Sequence, residues 1–465
     1  MANYALAPEP CTQRHIVAGD PAQRAIDRLL IGRSVESGPS RELWLDVTGE
    51  QVVAAFGKRG TGKSYTLGVL LEGLAAGKGS TAIAQLSTSR GGLVLDIMDI
   101  YWTSAIPLTA DGPPEVRKQY GKMAQRGLSS QPLNLDVWIP SGFRNEAIDP
   151  EGVKALTIAP SELSIDDWAV LFGVDVYGEP RGMLVADLIQ HVSVTGYTTE
   201  QGLNIPAERN FGLQQLLTCL DTDETLARDY QDQTRRSIRQ RLTTYSSLAL
   251  FSAPGTALTE LIQPFRVAIL MLGRLPDALK SVTVAVLIRR ILRNRRDVSF
   301  ASKRLDLDPK LSDDERLSLT DFVSHGLPRT WVLMDEAHVL AGNDSSSVAA
   351  DALVKYAKEG RNYGLSLAVA TQQPSALDGR LVSQVETLIC HQLTSPADAG
   401  IAARALRSPA PTSITVDGAH TDLEGLLRRL GQGEAVFSSG NAPNLMRSFV
   451  VGVRPRITAH GGYEA

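Results

Sequence analysis

The sequence predicts an α/β fold with a mostly parallel central sheet, and three observations carry that expectation. The octapeptide Gly57-Lys58-Arg59-Gly60-Thr61-Gly62-Lys63-Ser64 matches G-x-x-x-x-G-K-[ST]. An apolar run at 51–56 leads into it, and Leu67, Leu70, Leu71 and Leu74 follow at helical spacing until Gly77 stops the helix. Continuous apolar runs at 265–272 and 366–371 suit strands covered on both faces. A third run, Trp331-Val332-Leu333-Met334-Asp335-Glu336-Ala337-His338, ends in two acids.

The chain of 465 residues has room for two or three domains, or for one large α/β domain with an insertion. With 43% hydrophobic and 21% charged residues it reads as a folded chain. The first residues carry Glu9, Arg14 and Asp20 without an apolar segment, so no signal peptide is expected. No apolar run approaches membrane-spanning length, and no membrane association is expected. The three cysteines, Cys11, Cys219 and Cys390, are scattered; they suit a reducing cytoplasm and offer no zinc spacing. A net charge of −4 argues against a generally basic nucleic-acid-coating surface but leaves room for a basic channel.

In chain order, residues 1–40 are rich in Pro, Gly and Ser and read as an arm with one short helix near 22–31. Residues 41–144 form the first part of the core, with strands at 41–46, 51–56, 92–96 and 133–139. Between 145 and 254 helical stretches at 161–172, 182–194 and 222–251 lack strand alternation between them, which suggests a helical insertion. Its segment Arg235-Arg236-Ser237-Ile238-Arg239-Gln240-Arg241 presents guanidinium groups either to solvent or to phosphates. The second part of the core, with a C-terminal tail, spans 255–465. There a strand at 265–272 precedes a helix over 277–293 that ends in Arg289, Arg290, Arg293, Arg295 and Arg296. Cations favour a helix C-terminus for dipole reasons alone, so these are weak candidates for DNA contact. The mixed charges of 297–327 suggest an exposed loop. Asp344 and the serines after it can cap a helix carrying Val348, Leu353 and Ala357 and ending at Gly360. Strands at 366–371, 386–393 and 435–438 complete the pattern.

The chemistry is that of a nucleotide. Gly57, Gly60 and Gly62 let backbone N–H groups wrap phosphates at a helix N-terminus, with Thr61 inside the same loop. Lys63 is expected to reach the β- and γ-phosphates of ATP, and the Ser64 hydroxyl to hold Mg2+. Asp335 would hold the magnesium through water, and Glu336 would polarise the attacking water. Asp96, at a strand's C-terminal end, either orients water or magnesium or simply ends its strand. Gln372 sits where a side chain can sense the γ-phosphate, and His338 reads as a packing or coupling residue.

The order of these motifs, together with Lys358-Glu359-Gly360-Arg361-Asn362-Tyr363-Gly364, Thr371-Gln372-Gln373-Pro374-Ser375 and the closing stretch 453–462, resembles the HerA branch of the HerA/FtsK superfamily. The likeness covers 41–142 and 265–462. It implies a RecA-like P-loop NTPase, and a ring, usually hexameric, that translocates double-stranded DNA with a nuclease or another effector protein. It also implies that Arg361 is an arginine finger reaching a neighbouring subunit's ATP, and that Gln372 is a sensor. Arg361, just before the strand of Gln372, is expected near the sheet's ligand edge but outside the P-loop pocket. HerA helicases usually carry a β-barrel before the P-loop, and the stretch here is too short for one. The expected activity is therefore a HerA-type ATPase and DNA translocase or helicase, in DNA processing or phage defence. The competing readings are an ATP-dependent scaffold that switches a partner enzyme and a VirB4-like secretion or conjugation ATPase.

Overall fold

The architecture comes from a computed structural model, which describes all residues except 1, 12, 20–25, 39, 344–346, 443 and 463–465. The expected cap at Asp344, and part of the expected helix near 22–31, lie outside the described residues.

The main strands are β1 (Tyr4–Ala7), β2 (Ile16–Ala18), β3 (Arg28–Ser34), β4 (Glu42–Asp46), β5 (Val52–Phe56), β6 (Arg90–Asp96), β7 (Leu135–Pro140), β8 (Lys154–Leu156), β9 (Val267–Met271), β10 (Arg329–Met334), β11 (Leu365–Thr371), β12 (Thr387–Cys390), β13 (Ser413–Val416), β14 (Ala419–Thr421), β15 (Glu434–Ser439) and β16 (Phe449–Val453), beside the short strands Gly79–Ser80, Ala84–Leu86, Tyr197–Thr198 and Asn204–Ile205. Most join one large sheet in the order β8-β7-β9-β6-β10-β11-β5-β12-β15-β16-β3-β4-β2. From β8 to β12 every neighbouring pair is parallel. The pairs β12/β15, β15/β16, β16/β3 and β3/β4 are antiparallel.

The apolar runs have no polar face because both faces of the sheet are covered. In β5, Val52, Ala54 and Phe56 point into one core and Val53 and Ala55 into the other. Helix α1 (Lys63–Leu74) closes the second core with Leu67, Leu70, Leu71 and Leu74. The first core is closed by three groups of helices. These are α2 (Ile165–Phe172), α3 (Pro180–Gln190), α4 (Leu213–Thr222) and α5 (Asp232–Ser246) from the 145–254 stretch, the helix α6 (Asp277–Leu307), and α8 (Val348–Glu359). At ~1.5 Å per residue α6 is about 46 Å long.

Three expectations need correction. Residues 1–40 are not a free arm: β3 pairs with β16 and β4, β2 with β4, and β1 with β13 in a small separate sheet. The partners β16 and β13 lie hundreds of residues downstream, which no local pattern shows. Residues 297–327 are not a loop: α6 runs on to Leu307, and α7 (Asp313–His325) follows. In α7, Ser312 caps the Glu315 amide and the Glu315 carboxylate returns to the Ser312 N–H, while none of its residues is buried. A helix without an apolar stripe has no hydrophobic period to read. Finally, the 145–254 stretch is not purely helical, because β8 extends the main sheet.

Candidate nucleotide site

Parallel pairing brings the C-terminal ends of β5, β11 and β10 to one edge, with β11 between the other two. The loop 57–62 leaves β5, Gln372 follows β11, and Asp335 and Glu336 follow β10. Gly62 has φ 124°, a conformation that L side chains rarely adopt, and a Cβ there would stand 3.0 Å from the His391 ring. At Gly57 a Cβ would lie 2.7 Å from that of His391. The loop is braced from below by Thr61 Oγ1 donating to the Lys58 carbonyl at 2.8 Å. The Gly433 N–H donates to Thr61 O at 3.0 Å, and the Gln432 amide donates to Gly60 O at 3.2 Å.

Lys63 and Glu336 are both buried and meet at 2.5 Å, with Asp335 3.8 Å from the same ammonium and the Ser64 hydroxyl 3.3 Å from it. Glu336 has φ 47°, and its N–H donates to Asp335 Oδ1 at 2.8 Å. His338 Nδ1 lies 3.5 Å from the other Glu336 oxygen and 3.0 Å from Thr371 Oγ1, so it couples the ends of β10 and β11. Gln372 is half-buried beside this junction.

Several supporting residues have no local signal. The Tyr101 hydroxyl donates to Asp335 Oδ2 at 2.9 Å and lies 3.1 Å from the Ser64 carbonyl, so one phenol ties the acidic strand end to α1. Asp96 does not face the nucleotide edge alone: it accepts the Tyr101 N–H at 2.7 Å and so sets the turn that aims the phenol. Burial pushes its carboxyl up to about 7. The closing stretch 453–462 clamps α1. Arg454 reaches Glu72 at 2.7 Å and Arg456 reaches it at 3.1 Å, all three buried, and Thr458 Oγ1 adds a bond at 2.7 Å. Removing one partner from such a buried cluster costs about 3–5 kcal/mol.

His391 joins α1 to β15. Burial lowers its pKa to about 4. The neutral ring then donates from Nδ1 to the Glu434 carbonyl at 2.9 Å and accepts the Thr66 hydroxyl at Nε2 at 2.8 Å. With a folded pKa below the ordinary 6.5, the unfolded chain takes up a proton that the native ring refuses. Stability from this group is therefore complete above about pH 6.5 and is lost as pH falls toward 4, by up to ~3 kcal/mol. Denaturant unfolding at several pH values in that window should show a shallower acid loss for His391→Gln than for wild type. A part of the slope should persist, because His460 is lowered to about 4 by burial and Arg456.

The remaining predicted residues separate. Arg361 is not near the ligand edge. It precedes β11, so it lies at the opposite, N-terminal edge, across a strand of seven residues or ~20 Å. There its side chain is 69% exposed and pairs with Glu386 at 2.9 Å, while the second Glu386 oxygen accepts the Val52 N–H at the start of β5. Arg295 is not available for DNA: it donates to the Tyr363 and Leu327 carbonyls at 2.9 and 2.6 Å and holds the approach to β11. Arg235 is mostly covered beside Asp232, and Arg239 makes a bidentate pair with Asp221 at 2.8 and 3.1 Å. Arg293 and Arg296 are exposed on α6, with Asp297 3.9 Å from Arg296.

A doubly covered parallel sheet with a phosphate loop and an acid-ended strand at one edge defines a RecA-like P-loop ATPase fold. The chain belongs to the HerA helicase family: the family model described as "Helicase HerA, central domain" matches residues 31–291, which include the 145–254 stretch. It is similar to the DNA double-strand break repair helicase HerA of Pyrococcus furiosus, 26% identical over 184 residues, or 38% of this chain and 32% of that protein. The HerA of Sulfurisphaera tokodaii is 25% identical over 171 residues, or 37% and 30%. These matches thus span about a third of the curated relatives' length. Among solved structures, VirB4 of Thermoanaerobacter pseudethanolicus shares the fold with a TM-score of 0.50 and 14% identity, covering 91% of this chain and 96% of that one. No helix among the described residues is long and apolar enough to cross a membrane.

Proposed function

We propose that the protein is an ATP-hydrolysing motor of the HerA type that closes into a ring, hexameric by family resemblance, around double-stranded DNA, and that it works in the cytoplasm with a nuclease or another effector in DNA processing or phage defence. The observation that carries this reading is the contact between Lys63 and Glu336, which joins the phosphate loop to the acidic strand end across β11.

The residues fit ATP and magnesium. The counter-charges beside Lys63 are Glu336 and Asp335, and phosphates at the loop would draw its ammonium away. The freed Glu336 carboxylate could then take a proton from water. Ser64 and Asp335 would hold the magnesium, which when bound offsets phosphate charge, and Tyr101 keeps Asp335 oriented toward it. Gln372, between the two loops, would report the state of the γ-phosphate to β11. Arg361 cannot reach the nucleotide of its own subunit from the far edge. It would serve a neighbour's, and that head-to-tail relation closes into a ring.

Double-stranded DNA is expected to raise the ATPase rate. Its affinity should fall with salt at a logarithmic slope of ~0.9 per phosphate contacted. Arg293 and Arg296 are exposed candidates for this contact, Arg296 with Asp297 3.9 Å away; Arg235 and Arg239 would first have to leave their carboxylates. Turnover measured across a DNA titration at two salt concentrations checks it. A rate that stays flat at low salt would favour the scaffold that switches a partner enzyme.

A further inference from the structure

We propose that His191, Cys219 and Asp223 form a structural binding site for a divalent cation of zinc's softness, within the helical stretch that packs on α6. Their donor atoms, one imidazole nitrogen, one sulfur and one carboxylate oxygen, all lie within 4.8 Å of one another. Cys219 and Asp223 are buried one turn apart at the end of α4, so their side chains share a face. His191 arrives from the end of α3, where the chain widens into a π-helical turn, His191–Thr195. Such turns recur at functional sites because they re-aim a side chain.

Two of the three ligand edges are close to those of one ion, and the third is no longer than 4.8 Å. Asp223 Oδ2 lies 2.6 Å from His191 Nδ1 and 3.7 Å from Cys219 Sγ. Bonds of 2.0–2.3 Å in a tetrahedron set ligand edges of about 3.3–3.8 Å, so the sulfur edge already fits and the imidazole needs to withdraw by less than ~1 Å. The other Asp223 oxygen is occupied: it accepts the Thr225 and Leu226 N–H groups at 2.8 and 3.3 Å, which fixes the carboxylate. The His191 side chain remains 21% exposed, which leaves a path for the ion and for water as a fourth ligand. Binding displaces the thiol proton of Cys219. The thiolate and carboxylate then balance the dication, so no net charge is left in the buried site. The ion would pin the 192–218 segment, which carries the small hairpin Tyr197–Thr198 and Asn204–Ile205, to the α4 end.

The test is cobalt(II) titration of the full chain after chelator treatment, followed by zinc displacement. One equivalent is expected, with a thiolate-to-cobalt charge-transfer band and tetrahedral visible bands, and zinc should raise the melting temperature. Cys219→Ser should lose the band and the melting shift. Asp223→Asn, which retains the helix cap, should weaken binding by at least the ~10–100-fold that losing an outer-shell partner costs. Cys11→Ser and Cys390→Ser should bind as wild type does. A wild-type chain without the thiolate band would overturn the proposal and leave a hydrogen-bonded His–Asp–thiol cluster. So would a band that persists in Cys219→Ser.

Discussion

Glu336→Gln is expected to bind ATP at least as tightly as wild type and to turn it over ~100-fold to 10,000-fold more slowly. The first half follows from the 2.5 Å contact with Lys63. Glutamine carries no charge to compete with phosphates for the ammonium, so the loop loses a resident anion. An amide cannot accept the proton of an attacking water, so the chemical step loses its base. The residue is nearly isosteric, and the αL backbone at this position is unchanged in kind. Calorimetric titration with ATP and steady-state turnover measure the two quantities separately. Turnover at the wild-type rate would remove Glu336 from the chemistry.

Arg361→Ala is expected to lower turnover by about three to five orders of magnitude, the scale on which a guanidinium stabilises a transferring phosphoryl group. The fold should survive it. Arg361 is 69% exposed, and a surface ion pair such as the one with Glu386 contributes ~0–1 kcal/mol. A large loss of rate with an unchanged melting temperature would therefore separate a functional role from a structural one. The position of Glu386 adds a geometric link. It holds Arg361 through one oxygen and the first residue of β5 through the other, so Arg361 and the P-loop strand share an anchor.

The parts of this site that are legible in sequence are those written in consecutive residues. The phosphate loop, the run ending in Asp335 and Glu336 and the run ending before Gln372 are each local, and parallel pairing then aligns their ends. Tyr101, His391, Glu434 and the Glu72 clamp are not local: each acts across tens to hundreds of residues, and a lone tyrosine or histidine has no spacing to betray it. His191, Cys219 and Asp223 show the same limit, since the cysteine spacing offers no zinc pattern while folding gathers three donor atoms. The position of Arg361 is hidden for a different reason. It neighbours Gln372 along the chain, but the whole of β11 runs between them, so sequence proximity becomes opposite edges of the sheet. In sequence Arg295 is one of a basic run, and only the chain packed against it shows that its hydrogen bonds are spent on carbonyls.

In the proposed ring an active site needs the Lys63 loop of one subunit and Arg361 of the next. This requirement is tested most directly by mixing Arg361→Ala with Lys63→Ala subunits and measuring ATP turnover with double-stranded DNA present. Each variant alone should be nearly inactive, whereas mixed rings should regain part of the activity at interfaces where an intact loop meets an intact finger. Mixtures no more active than the separate variants, or an Arg361→Ala protein that hydrolyses ATP normally by itself, would contradict it.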